Sequence, residues 1–299
     1  MISSATSKGT GSKCVFIVQE AFKNKIQFYS MYFLSFGDWG ENTFLKKLVR
    51  KLVEDKNPDA ILSLGDNFYD HGVQTPFDPM WTTHYTTYFF KPFFAILGNH
   101  DHLGSIQAQI EYSNLNSLWI MPRRFYDRAY EDVHLIALDT YELAPMESIM
   151  NAVAMGHNPV TTLKYINQLK QEEQLVWLEH ALKHSTSTWK IVFGHYPIYS
   201  NGPHGDTTEL HKDLLPLLKK YGVHLYLSGH DHNISYKQDG VHCLVSGCGS
   251  RQSRTSLRLG FSMLPATGVA YVKTSSKELE FGFYGMNGET LMKKSISVE

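Results

Sequence analysis

Five short glycine-containing turns carry side chains that bind cations: Gly37-Asp38-Trp39-Gly40, Gly65-Asp66-Asn67-Phe68-Tyr69, Gly98-Asn99-His100-Asp101, Gly194-His195 and Gly229-His230-Asp231-His232. Each follows an apolar run that reads as a strand. In an open α/β sheet the carboxyl ends of the strands border the ligand crevice, so five such turns converge on one site. A lone Asp after a strand is more often a helix cap, and a lone Gly-His carries no information; five in order, on matching elements, do. The donors are carboxylate, carboxamide, imidazole and phenolate, without a thiolate. That set suits hard or borderline ions such as iron(III), manganese or zinc. Seven donors are too many for one zinc and about right for two ions bridged by one carboxylate, with positions left for water and substrate.

The elements that must place these turns follow from periodicity. Tyr32 to Phe36 reads as a strand; Phe44, Leu45, Leu48, Val49, Leu52 and Val53 recur at helical spacing until Asn57 and Pro58 stop them. Ala60 to Leu64, Phe93 to Leu97 and Val133 to Leu138 are further strands, with a helix near Ile106 to Asn114. Ala144 to Lys164 has two prolines, a glycine and no clear period, and reads as a long surface loop. Then come a helix around Gln174 to His184, strand Lys190 to Phe193, a helix around Leu210 to Tyr221 and strand Val223 to Leu227. Hairpin-like runs at Val241 to Ser246, Val269 to Thr274, Glu280 to Tyr284 and Thr290 to Ser295 follow. Two βα halves and a strand-rich end imply an α/β chain of layered sheets with helices outside.

Composition narrows the function classes. The 299 residues are 42% apolar and 13% aromatic, values of a globular chain. Lys and Arg number 28 against 29 Asp and Glu, a formal charge of -1, so no broad basic field exists to hold a polynucleotide. Residues 1–31 read as an N-terminal extension without ordered structure or a convincing secretory signal, and no stretch reaches the length of a membrane span. Cys14, Cys243 and Cys248 show no paired spacing and read as buried thiols. Cys243 and Cys248 fall on opposite faces of one strand region unless it bulges.

With these residues in place the chain resembles the metallophosphoesterases, and among them the small, mammalian-type purple acid phosphatases, also called tartrate-resistant acid phosphatases. The similarity runs from about Tyr32 to Glu299 and rests on the five turns, including Gly98-Asn99-His100-Asp101-His102-Leu103-Gly104. Generic metallophosphoesterases have Asp-x-His at the first turn; here the third position is Gly40, and Tyr69 would supply the missing donor. The resemblance implies one catalytic domain over residues 32–299, a four-layer α-β-β-α sandwich of two mixed sheets with helices outside. It implies an iron(III) site of Asp38, Asp66, Tyr69 and His232 and a divalent site (iron, zinc or manganese) of Asp66, Asn99, His195 and His230, bridged by Asp66. The activity it implies is acid phosphatase: a metal-bound hydroxide attacks a phosphate monoester without a phosphoenzyme, and His100 and His204 contact the phosphate and protonate the leaving group. Small phosphate esters or phosphoproteins would be substrates and inorganic phosphate the product. A secreted, lysosomal or vacuolar location would follow from the family.

Several features set the chain apart from the mammalian-type pattern. Asp70 and His71 follow Tyr69 where the mammalian-type pattern has less polar residues, and Asp206 follows His204-Gly205, so the pocket rim is expected to carry extra negative charge and the pH optimum to be altered. Asp101 is read as orienting His100 or capping a helix. The one Asn-x-Ser sequon, at Asn233, abuts His232 and is not expected to carry glycan. The 144–164 segment, with Glu147 as its one acidic residue, is expected to act as a lid. A phosphodiesterase of the same superfamily, or a non-catalytic scaffold like the glideosome-associated relatives, are the alternatives.

Overall fold

A computed structural model describes residues 31–130, 132–169, 171–262, 264–265 and 267–298. The expected extension therefore lies outside the described residues, except Met31, which already belongs to the first strand. The first half runs β1 (Met31–Phe36), α1 (Phe44–Lys56), β2 (Ala60–Ser63), β3 (Phe93–Ala95), α2 (Ile106–Tyr112) and β4 (Trp119–Ile120). Next come β5 (Tyr126–Tyr130), β6 (Val133–Ala137), α3 (Thr140–Leu143), α4 (Pro145–Ala154), α5 (Pro159–Gln168), α6 (Gln171–Lys183) and β7 (Trp189–Phe193). The remainder is α7 (Leu215–Lys220), β8 (Leu225–Ser228), β9 (Ile234–Gln238), β10 (His242–Ser246), β11 (Val269–Thr274), β12 (Glu278–Tyr284) and β13 (Thr290–Ser297).

Two mixed sheets result. One has the order β13-β12-β11-β1-β2-β3-β4 and the other β5-β6-β7-β8-β10-β9. Alternation along the central strands of the second sheet separates its two faces. Leu135, Ala137, Ile191, Phe193, Leu225 and Leu227 join the apolar cluster shared with the first sheet. Their neighbours Ile136, Leu138, Val192 and Tyr226 pack instead with Leu178, Leu182, Leu214 and Leu218 of the covering helices. On the first sheet, Val49, Leu52 and Val53 of α1 supply the apolar stripe. The four-layer sandwich expected from the resemblance is thus present. Cys243, on β10, and Cys248, two residues past its end, are buried thiols in different clusters, and Cys14 lies outside the described residues. No helix among the described residues is long and apolar enough to cross a membrane.

The 144–164 segment is not a loop. It forms α4 and most of α5, and the prolines that read as loop punctuation open the two helices, where a missing N–H costs nothing. The Asn158 side chain caps α5 by accepting from Val160 and Thr161 N–H. The turn between them contains Gly156 at φ +85°. At the foot of this pair, His102 stacks on Tyr141 (4.1 Å between centroids) and meets the Tyr165 hydroxyl at 3.0 Å and Asp139 at 2.9 Å. Arg124 ties Asp139 (2.8 Å) to Glu142 (2.7 Å), whose carboxyl is pushed up to about 7 by burial and by Asp139.

Candidate metal centre

The turns leave the strands with their ligand-type residues outward because the intervening residues are anchored inward. Trp39, next to Asp38, is fully buried and donates its indole N–H to Ser63 Oγ at 2.8 Å. Phe68, next to Tyr69, packs edge-on against Trp39 (5.6 Å) and Trp81 (4.7 Å). Each such aromatic pair contributes about 0.5–1.5 kcal/mol beyond its burial. Asp38, Asp66 and His230 have positive φ (60°, 51° and 69°), a conformation that costs roughly 1–3 kcal/mol per non-glycine residue and clusters at functional sites. Gly98 is required by close approach: a Cβ there would lie 2.1 Å from Asp66 Oδ1. The Asp101 carboxylate neither orients His100 nor caps a helix. It accepts from the N–H groups of Gly98 (2.9 Å) and Asn67 (3.0 Å) and from Gln109 (2.8 Å), fixing the second turn against the third.

The structure brings the expected residues to one crevice. Oxygen and nitrogen atoms of Asp38, Asp66 and His195 lie within 4.8 Å of one another. Tyr69 donates its hydroxyl to Asp38 Oδ1 (3.1 Å) and lies 3.2 Å from His232 Nε2, which is itself 3.6 Å from Asp38. His195 Nε2 is 3.0 Å from Asn99 Oδ1 and 3.5 Å from Asp66 Oδ1. His230 packs its ring 5.1 Å from that of His195 but turns Nε2 to Glu147 Oε1 at 3.1 Å, and groups with Glu147 and His204 as a second cluster of ligand-type atoms within 4.8 Å of one another. Of the two outer histidines, His100 stands edge-on to Tyr69 (4.5 Å) with Nε2 3.9 Å from Asp66, and His204 lies over His230 (4.1 Å). Asp231 accepts the His204 N–H and fixes that loop.

These donors fit a cation on their own chemistry. The Nδ1–H of His195 is committed to the Leu64 carbonyl (2.7 Å), so Nε2 points a lone pair at the Asn99 and Asp66 oxygens, and three acceptors face one another. Asp38 and Asp66 are buried (0% and 2% exposed), and neither pairs with a Lys or Arg among the described residues. Burial and the neighbouring Asp66 hold the Asp38 carboxyl well above the usual range. Burial lowers His195 and His230 and brings His232 to about 4, keeping all three rings neutral and able to ligate. Burial and the two carboxylates push the Tyr69 phenol up, and a cation beside it would favour the phenolate.

The family model of the calcineurin-like phosphoesterases matches residues 31–233. Tartrate-resistant acid phosphatase type 5 of Homo sapiens is 33% identical over 304 residues, covering 89% of this chain and 91% of the relative. Purple acid phosphatase 17 of Arabidopsis thaliana is 32% identical over 291 residues, covering 88% and 83%. The chain belongs to the purple acid phosphatases. A solved structure described as GAP50, the anchor in the inner membrane complex of Plasmodium, is also similar, with a TM-score of 0.75, 25% identity and coverage of 90% and 89%.

In this purple acid phosphatase the negative charge expected of Asp70 and Asp206 at the rim is reduced by two arginines. Arg258 pairs with Asp206 (2.7 and 2.9 Å) and offsets it, whereas Arg251, on the same segment between β10 and β11, is shared between Glu41 and Asp70 (3.1 Å) and offsets Asp70 only in part. Neither arginine carries a sequence signal, because that segment has no period to place it. Thr140 was equally silent: its hydroxyl takes the N–H of His195 (3.1 Å) and of Tyr196 (2.9 Å). Glu147, the one acidic residue of the 144–164 segment, reaches both His230 and His204. Asn233 is fully buried, which closes the sequon to glycan.

Proposed function

We propose that the chain is a metal-dependent acid phosphatase that hydrolyses phosphate monoesters at a binuclear centre. One ion would sit among Asp38, Asp66, Tyr69 and His232, the other among Asp66, Asn99, His195 and His230, with Asp66 shared. The observation that carries this reading is the convergence of His195 Nε2 on Asn99 Oδ1 (3.0 Å) and Asp66 Oδ1 (3.5 Å), with the other ring nitrogen of His195 committed to the Leu64 carbonyl. The phenol of Tyr69 suits iron(III), and the second position suits iron, zinc or manganese. Ions held there supply Lewis acidity toward the phosphoryl oxygens and lower the pKa of water, so hydrolysis needs no phosphoenzyme.

The chain's own residues do the rest. His100 and His204 flank the crevice from opposite turns, where they hold the phosphoryl group and deliver a proton to the leaving alkoxide. Residues 32–299 form one catalytic unit, an assignment supported by the apolar cluster that both sheets share. The α4–α5 pair acts as a lid, with Glu147 at the crevice. Small phosphate esters and phosphoproteins fit as substrates, and inorganic phosphate leaves as product.

A non-catalytic scaffold is the second reading, favoured by the likeness to GAP50. Metal analysis with a visible spectrum, followed by rates on nitrophenyl monoester and diester substrates, separates the readings. The phosphatase reading expects two metals per chain, a tyrosinate–iron(III) band and faster monoester cleavage. A chain that takes up no metal would be a scaffold, and one faster on the diester would be a phosphodiesterase.

A further inference from the structure

Arg251 lies on the face of Tyr69, its guanidinium carbon 3.9 Å from the ring centroid. The position is fixed from both sides of the crevice. Nε and Nη2 fork onto the Glu41 carboxylate at 3.0 and 2.7 Å, and Nη2 also reaches Asp70 at 3.1 Å. Glu41 directly follows the turn that carries Asp38, and Asp70 directly follows Tyr69. The same three contacts that hold the arginine therefore hold it over the phenol of a donor residue. A planar guanidinium is well suited to such a stack, and its attraction for the ring rises when the phenol ionises and the negative charge spreads over the π-system.

We infer that Arg251 is a positioning residue that tunes electron donation from Tyr69 to the ferric ion, an inference that rests on the iron(III)–phenolate reading above. A cation on the ring face stabilises phenolate charge, so less of it is given to the metal. The charge-transfer band of the iron-loaded protein then falls at shorter wavelength, and iron is more easily reduced, than with a bare phenolate. A guanidinium that merely clips Glu41 and Asp70 to the segment after β10 would leave both properties alone.

The test is the visible spectrum and the reduction potential of the iron-loaded full chain, with thermal melting as the control for folding. Arg251→Met, which removes the charge from a partly exposed position, moves the band to longer wavelength and lowers the potential. Arg251→Gln keeps a donor for Glu41 and shifts both in the same direction, which covers the case of a Met variant that fails to fold. Arg251→Lys returns most of the parent spectrum. Neutral variants whose band and potential match the parent overturn the role of Arg251 and leave the iron assignment standing. A parent that binds iron without a tyrosinate band overturns the iron(III)–phenolate reading, and the inference falls with it.

Discussion

Asp66 is the side chain on which the two proposed ion positions depend together. It lies 3.5 Å from His195, takes the His100 N–H at 3.0 Å, and is buried beside Asp38 with no basic partner among the described residues. Replacing its charge is therefore expected to disable binding and not folding. Asp66→Asn should lower metal affinity by more than the roughly 100-fold that loss of an outer partner of a metal ligand costs, and abolish turnover. The metal-free protein should keep its melting temperature, since the substitution removes the carboxylate that raises Asp38. Calorimetric metal titration beside a thermal melt checks both; retention of most of the parent's rate would show that Asp66 is not shared between ions. This residue was legible in the sequence because its turn, Gly65 to Tyr69, has a fixed spacing and follows a strand.

At the scale of elements, helix α4 brings a carboxylate to His230 and His204, beside the proposed ion positions. Glu147 Oε1 stands 3.1 Å from His230 and 3.8 Å from His204, and burial raises its carboxyl above the ordinary value. Like charge in the crevice opposes an anionic ligand, so Glu147→Gln should tighten inhibition by inorganic phosphate by about tenfold, equivalent to ~1.4 kcal/mol. An unchanged inhibition constant would remove Glu147 from the crevice in solution. The strands and outer helices were readable from period and from their bounding residues, as with Asn57, whose αL conformation ends α1. Helices α4 and α5 were not, because Pro145, Gly156 and Pro159 punctuate a loop and open or close a helix with equal ease. Arg251 and Arg258 were illegible for a different reason: their partners are as distant in sequence as Glu41 and Ser200, joined only by tertiary folding.

For the molecule as a whole, Lys46 is a buried charge that the proposed chemistry does not use. It has 0% exposure, and burial brings its ammonium down to about 7. Below pH 7 the folded protein must bury a charge that the unfolded chain keeps in water. From pH 7 to about 10.5 the unfolded chain holds the proton and the folded one does not, so stability rises with pH through that window. The ring faces of Trp39 (5.0 Å) and Tyr88 (4.6 Å) favour the charged form and offset part of the cost. Lys46→Met should therefore stabilise the protein by about 1–3 kcal/mol at pH 5 and much less near pH 10.5. Denaturation midpoints at the two pH values decide it, and an equal gain at both would show that the ammonium is not the cause.

The place of β1 has a consequence for biosynthesis. The strand that leads into Asp38 is hydrogen-bonded on one side to β2 and on the other to β11, and Gly37 N–H reaches across to the Ser246 carbonyl. A nascent polypeptide emerging from the ribosome thus exposes its earliest donor long before the strand that secures it has been translated. Uptake of ions at the proposed centre is therefore expected only after β11 has been made, late in synthesis.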